Sequence, residues 1–116
     1  MELRRRAPRI NTDWPGRCKL DDEPDSEERD CRVIDISLLG VGVEMLGDGV
    51  GNLVGRVLVV DVEPPIGKSV RLQVSGQVMN QGKTLEGSTR VGLQFVGLSD
   101  SEVAVLEVIE QLKMFW

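Results

Sequence analysis

The chain has 116 residues, 41% of them hydrophobic, and a formal net charge of −5; it suits one domain with a single core. It contains no His, two Cys and only two Phe and two Trp, which removes histidine acid–base chemistry and leaves few aromatic platforms for stacked bases. No apolar stretch approaches the roughly 20 residues of a membrane helix, and residues 1–9 lack the apolar centre of a signal peptide, so the expected location is cytoplasmic.

The first segment contradicts the acidic total. Arg4, Arg5, Arg6 and Arg9 place four guanidinium groups within six residues. One basic tract on an acidic chain points to a discrete anionic ligand rather than to polyanions at large. On residue types alone the tract also reads as a solvated tail. Pro8 restricts Ala7 to an extended conformation, so Arg5 and Arg9 can flank a ligand from a non-helical segment. Guanidinium groups donate bidentately to phosphate oxygens or to guanine O6 and N7, and their flat faces stack on purines.

After Trp14-Pro15-Gly16 the alternating run Arg17-Cys18-Lys19-Leu20 predicts a short first strand. Residues 21–30 carry seven carboxylates and one Arg, a density that predicts a solvated hairpin loop; the ligand spacing and central Gly of a calcium loop are absent. The loop is either a partner surface or simply solubilising. Cys18 and Cys31 lack metal-ligand spacing and alternate with polar residues, so both are expected as buried free thiols.

Residues 31–36 and 41–46 predict two strands around the turn Ser37-Leu38-Leu39-Gly40. A Gly-rich connection at 47–55 leads to a largely buried strand at 56–62, which Pro64-Pro65 stops. Residues 69–78 alternate with period two, Asn80-Gln81-Gly82-Lys83 reads as a turn cluster, and strand character resumes over 84–96. Ser99-Asp100-Ser101-Glu102 is a capping box that opens a helix to about Lys113. Val103, Val105, Leu106, Val108, Ile109 and Leu112 form its apolar face. Leu112 to Trp116 leave apolar bulk that packs into a barrel mouth or, alternatively, against a second chain.

The expected fold is all-β with one C-terminal helix: a small six-stranded antiparallel (split) β-barrel. Its parts are an Arg-rich flexible arm at 1–12, a barrel at 13–98 and the helix at 99–116. Catalysis is poorly supported, because neither Cys has an evident base and Ser37 has only Asp35 nearby. No metal site, cofactor or phosphate-binding P-loop is expected. Asp35, by contrast, can accept from guanine N1 and N2, Ser37 can donate to phosphate or cap its turn, and Gly40 permits a positive φ or a close backbone approach.

Arg5 with Arg9, and Asp35 with Ser37 and Gly40, match an Arg-x-x-x-Arg segment followed by an Asp/Asn-x-Ser-x-x-Gly segment. In this the chain resembles the PilZ domain family. Val91-Gly92-Leu93-Gln94-Phe95 and the Ser-started helix resemble the family's closing strand and terminal helix, extending the likeness over residues 4–112. The resemblance implies a receptor for the bacterial second messenger cyclic di-GMP, with Arg5 and Arg9 on phosphates and guanine faces, Arg6 as the motif's frequent second Arg among the ligand-binding residues, and Asp35, Ser37 and Gly40 on a guanine edge and the adjacent backbone. Arg4 is expected to stack on a second, intercalated ligand molecule. An arm held loose by its own charge would order on the dianionic ligand and signal to a downstream protein or domain that the sequence does not name. The resemblance also allows a protein-interaction scaffold that binds no nucleotide, against which the intact motif residues argue. Nucleic-acid binding through the Arg tract is disfavoured by the acidic remainder.

Overall fold

The computed structural model describes residues 9–23, 28–47, 49–65 and 70–112. Six strands are followed by one helix: β1 (Ile10–Leu20), β2 (Arg29–Ile36), β3 (Gly40–Met45), β4 (Val57–Val62), β5 (Leu72–Lys83), β6 (Thr89–Val96) and α1 (Asp100–Leu112). Every strand pairing is antiparallel, and the order β1-β2-β3-β6-β5-β4 closes into a barrel when β1 pairs with β4. Closure removes the unpaired edges that an open sheet of this size would present.

Alternation sorts the side chains. Val33 on β2, Val43 on β3, Val60 on β4, Val74 and Val78 on β5 and Val91 on β6 point inward and form the core, joined by Leu58, Leu72 and Leu93. The helix covers this core with the buried Leu106 and Ile109 and the half-buried Val105, and packs against β5. Its start matches the capping box: Ser99 Oγ accepts from the Glu102 amide at 3.2 Å and Glu102 Oε1 accepts from the Ser99 amide at 2.9 Å. Val108, placed on the packing face by its spacing, is instead 45% exposed. Residues 113–116, expected to fill a barrel mouth, lie outside the described residues.

Two strands differ from their sequence expectation. β1 starts at Ile10 and runs straight through Trp14-Pro15-Gly16, rather than beginning at Arg17. Pro15 is tolerated because β1 pairs with β4 only from Gly16 onward, so at Pro15 that side of the strand makes no ladder. A register shift between Asn11 and Trp14 absorbs the irregularity, and the Thr12 hydroxyl donates to the Val33 carbonyl oxygen at 2.6 Å across it. β5 likewise continues through Asn80 to Lys83, the residues that read as a turn. The reversal lies at Thr84–Ser88, closed by the Thr84 amide on the Ser88 carbonyl at 3.0 Å.

The two thiols are free and buried, as expected. The neighbouring Cys18 thiol, together with burial, pushes the Cys31 thiol well above its ordinary range, so Cys31 stays protonated.

Candidate functional site

Strand pairing brings Ile10, Ile36, Gly40 and Gln94 to one rim of the barrel, the rim at which β6 leads into the helix. Arg9 and the β2–β3 turn therefore meet there. Arg9 Nη1 donates to Asp35 Oδ1 at 2.8 Å, with the arginine side chain 69% exposed and the aspartate 21%. Such a pair, half in water, is a weak latch worth at most about 1 kcal/mol. Asp35 Oδ2 has no hydrogen-bond partner among the described residues. Arg4, Arg5 and Arg6, the remainder of the basic tract, lie outside the described residues.

Ser37 and Gly40 shape the turn. The Ser37 hydroxyl oxygen accepts from the amides of Leu39 at 3.1 Å and Gly40 at 3.2 Å, while the Ser37 amide donates to the Gly40 carbonyl at 2.9 Å. Of the two roles open to Ser37 from sequence, capping is the one this geometry displays. Gly40 is not among the positive-φ glycines; a Cβ there would overlap the Leu93 carbonyl oxygen on β6. Close approach of backbones, not an unusual φ, is what requires glycine at this position.

Three residues that sequence reasoning missed complete the outer face. Asp35 on β2 pairs with Gly42 on β3, Gly42 with Gly92 on β6, and Gly92 with Asn80 on β5, one continuous row across four strands. A Cβ on Gly42 would stand 2.9 Å from both carboxylate oxygens of Asp35, and one on Gly92 would stand 2.8 Å from Asn80 Oδ1. The two polar side chains thus lie over the two glycines. A signal was present in the sequence: Val41-Gly42-Val43 and Val91-Gly92-Leu93 each put Gly at the outward position of an otherwise regular alternation.

In the next row Arg32 pairs with Glu44 and Glu44 with Arg90. Arg32 is committed elsewhere, donating from Nε to Asp13 Oδ1 at 2.5 Å and from Nη2 to the Asp13 carbonyl at 3.0 Å. That hydrogen bond holds the Asp13 carboxyl below its ordinary range. Arg90 is exposed and makes no ion pair among the described residues, leaving its charge available beside the glycine row.

Among the described residues no group of three or more His, Cys, Asp or Glu is placed to hold a metal ion. No helix there is long and apolar enough to cross a membrane. An open cavity of about 600 Å³, lined by Gly49, Asn52, Gln81 and Lys83, contains none of the motif residues.

An Arg beside an Asp-x-Ser-x-x-Gly turn on the rim of a closed six-stranded barrel is the arrangement the sequence resemblance implied, and the family described as PilZ domain matches residues 3–112. The chain belongs to the PilZ domain family. Several solved structures share this fold. The inhibitor of motility MotI/DgrA of Bacillus subtilis superposes with a TM-score of 0.80 at 16% identity, covering 98% of this chain and 53% of that one. The PilZ domain of YcgR from Escherichia coli, solved with c-di-GMP, gives 0.75 at 18% identity, covering 97% and 93%. MrkH of K. pneumonia in its c-di-GMP complex gives 0.68 at 18% identity, covering 98% and 54%. The PilZ chain therefore spans about half the length of MotI and MrkH and nearly all of the isolated YcgR domain. Comparison with curated proteins gave no match.

Proposed function

We propose that this PilZ domain is a cytoplasmic receptor for cyclic di-GMP, acting through binding and not catalysis. The observation that carries the proposal is the Arg9–Asp35 contact at 2.8 Å, which unites the two halves of the family motif on one exposed rim. Support also comes from the c-di-GMP present in the similar YcgR and MrkH structures. The arm, expected at 1–12, is residues 1–9, because β1 begins at Ile10. Arg5 and Arg9 grip phosphates and stack on guanine, Arg6 adds a further cation, and Asp35 accepts from the guanine N1 and N2 donors. Ser37 and Gly40 hold the turn in the shape that presents this edge.

The weak latch suits a switch. Without ligand, Arg9 rests on Asp35; with ligand, Asp35 takes the guanine edge and Arg9 turns to phosphate, so the arm folds onto the barrel. Arg4 stacks on a second ligand molecule intercalated with the first. The altered surface is then read by a downstream protein or by a further domain.

Isothermal titration tests the proposal. Wild type is expected to bind with two ligands per chain, and Arg5→Ala, Arg9→Ala or Asp35→Ala each to lose about 2 kcal/mol, roughly 30-fold. One ligand per chain would reject the intercalated pair. No binding by wild type up to about 100 µM ligand would reject the receptor.

A further inference from the structure

We infer that Asn80, outside both family motifs, is a guanine-reading residue that works as a pair with Asp35; this rests on the receptor reading above. Gly42 and Gly92 are direct cross-strand partners, so their Cα atoms are about 5 Å apart. The Asp35 carboxylate lies over the first glycine and the Asn80 amide over the second. A carboxylate and a carboxamide therefore face one another over a floor without side chains, at about one strand spacing. Any residue larger than Gly at 42 or 92 would close that gap.

The chemistry of the two groups is complementary along one base edge. Guanine presents O6, an acceptor, beside N1–H and N2–H₂, which are donors. Asp35 accepts only, and its Oδ2 is unengaged among the described residues. Asn80 supplies two amide N–H donors, and its side chain is exposed with no hydrogen bond to any described residue. With Asp35 on N1 and N2, the Asn80 amide donates to O6, so one base edge meets both groups where they lie over Gly42 and Gly92.

Both halves are tested by titrating cyclic di-GMP and its inosine analogue, cyclic di-IMP, which keeps O6 and N1–H and lacks the exocyclic amine. Asn80→Ala is expected to weaken cyclic di-GMP by about 5- to 10-fold, the value of one neutral hydrogen bond. Asn80→Asp, which removes the donor and sets a second carboxylate opposite Asp35, weakens it further. Gly92→Ala keeps the amide but pushes it aside, and reproduces the Asn80→Ala loss. The Asn80→Ala factor is the same for cyclic di-IMP. Thermal midpoints of the variants match wild type, since the substituted atoms face solvent. If wild type binds and all three variants bind within 2-fold of it, Asn80 reads nothing and the receptor stands. If the Asn80→Ala loss vanishes with cyclic di-IMP, the assignment to O6 is overturned. Failure of wild type to bind removes the receptor reading and Asn80 with it.

Discussion

Gly40 and Gly42 sit two residues apart on β3, and the absence of a side chain does different work at each. At Gly40 a Cβ would meet the Leu93 main-chain oxygen, which the β3–β6 ladder holds in place. At Gly42 it would meet the Asp35 carboxylate at 2.9 Å, a side-chain end that can swing away. Gly40→Ala should therefore destabilise the fold, by about 2 kcal/mol or more in urea denaturation, as overpacking against fixed backbone does. Gly42→Ala should leave the urea midpoint nearly unchanged and weaken cyclic di-GMP by about 10-fold, because it displaces the carboxylate proposed to read guanine. Equal effects of the two substitutions on stability would refute this division. The same scale explains what was legible. Arg9, Asp35, Ser37 and Gly40 stand in sequence at the spacing the site needs, and all four meet at one rim. Gly42, Gly92 and Asn80 come from three strands, and only the register makes them neighbours.

At the scale of elements, the helix was readable from its cap and period, while the ends of two strands were not. Pro15 and Gly16 look like a break because sequence cannot say which ladder a strand lacks at a given position; here β4 joins only at Gly16. Asn80, Gln81 and Gly82 look like a turn because polar residues and Gly are common in both turns and wet strand faces. Their strand role follows from pairing with Gly92, Val91 and Arg90 across a shift in register at Val78/Asn80. The helix carries a prediction of its own. Ile109 is fully buried and, with Leu106 and the half-buried Val105, is where α1 meets the core. Ile109→Ala should cost about 2–5 kcal/mol in chemical denaturation, whereas Val108→Ala, one residue away at 45% exposure, should cost little. Comparable losses would show that the helix does not dock through this face.

For the whole molecule, the closed barrel holds the Asp35 rim in place, and in the proposed switch the basic tract is the part that responds. Net charge is −5, yet Arg9 and Arg90 bring cationic charge to the Asp35 rim and an adjoining outer row, and Arg4, Arg5 and Arg6 precede Arg9 in sequence. On the proposed reading this uneven distribution would draw a dianionic ligand to one face, while the acidic remainder would repel nucleic acid. The direct test is a titration of isotope-labelled protein with cyclic di-GMP, following backbone amide resonances. Saturable shifts should concentrate at Arg9, at Asp35 to Gly42, and at Asn80 and Gly92, with the β4 strand and the 49–55 connection unmoved. No saturable shift, or shifts centred on β4 and residues 49–55, would contradict a cyclic di-GMP site on the Asp35 rim.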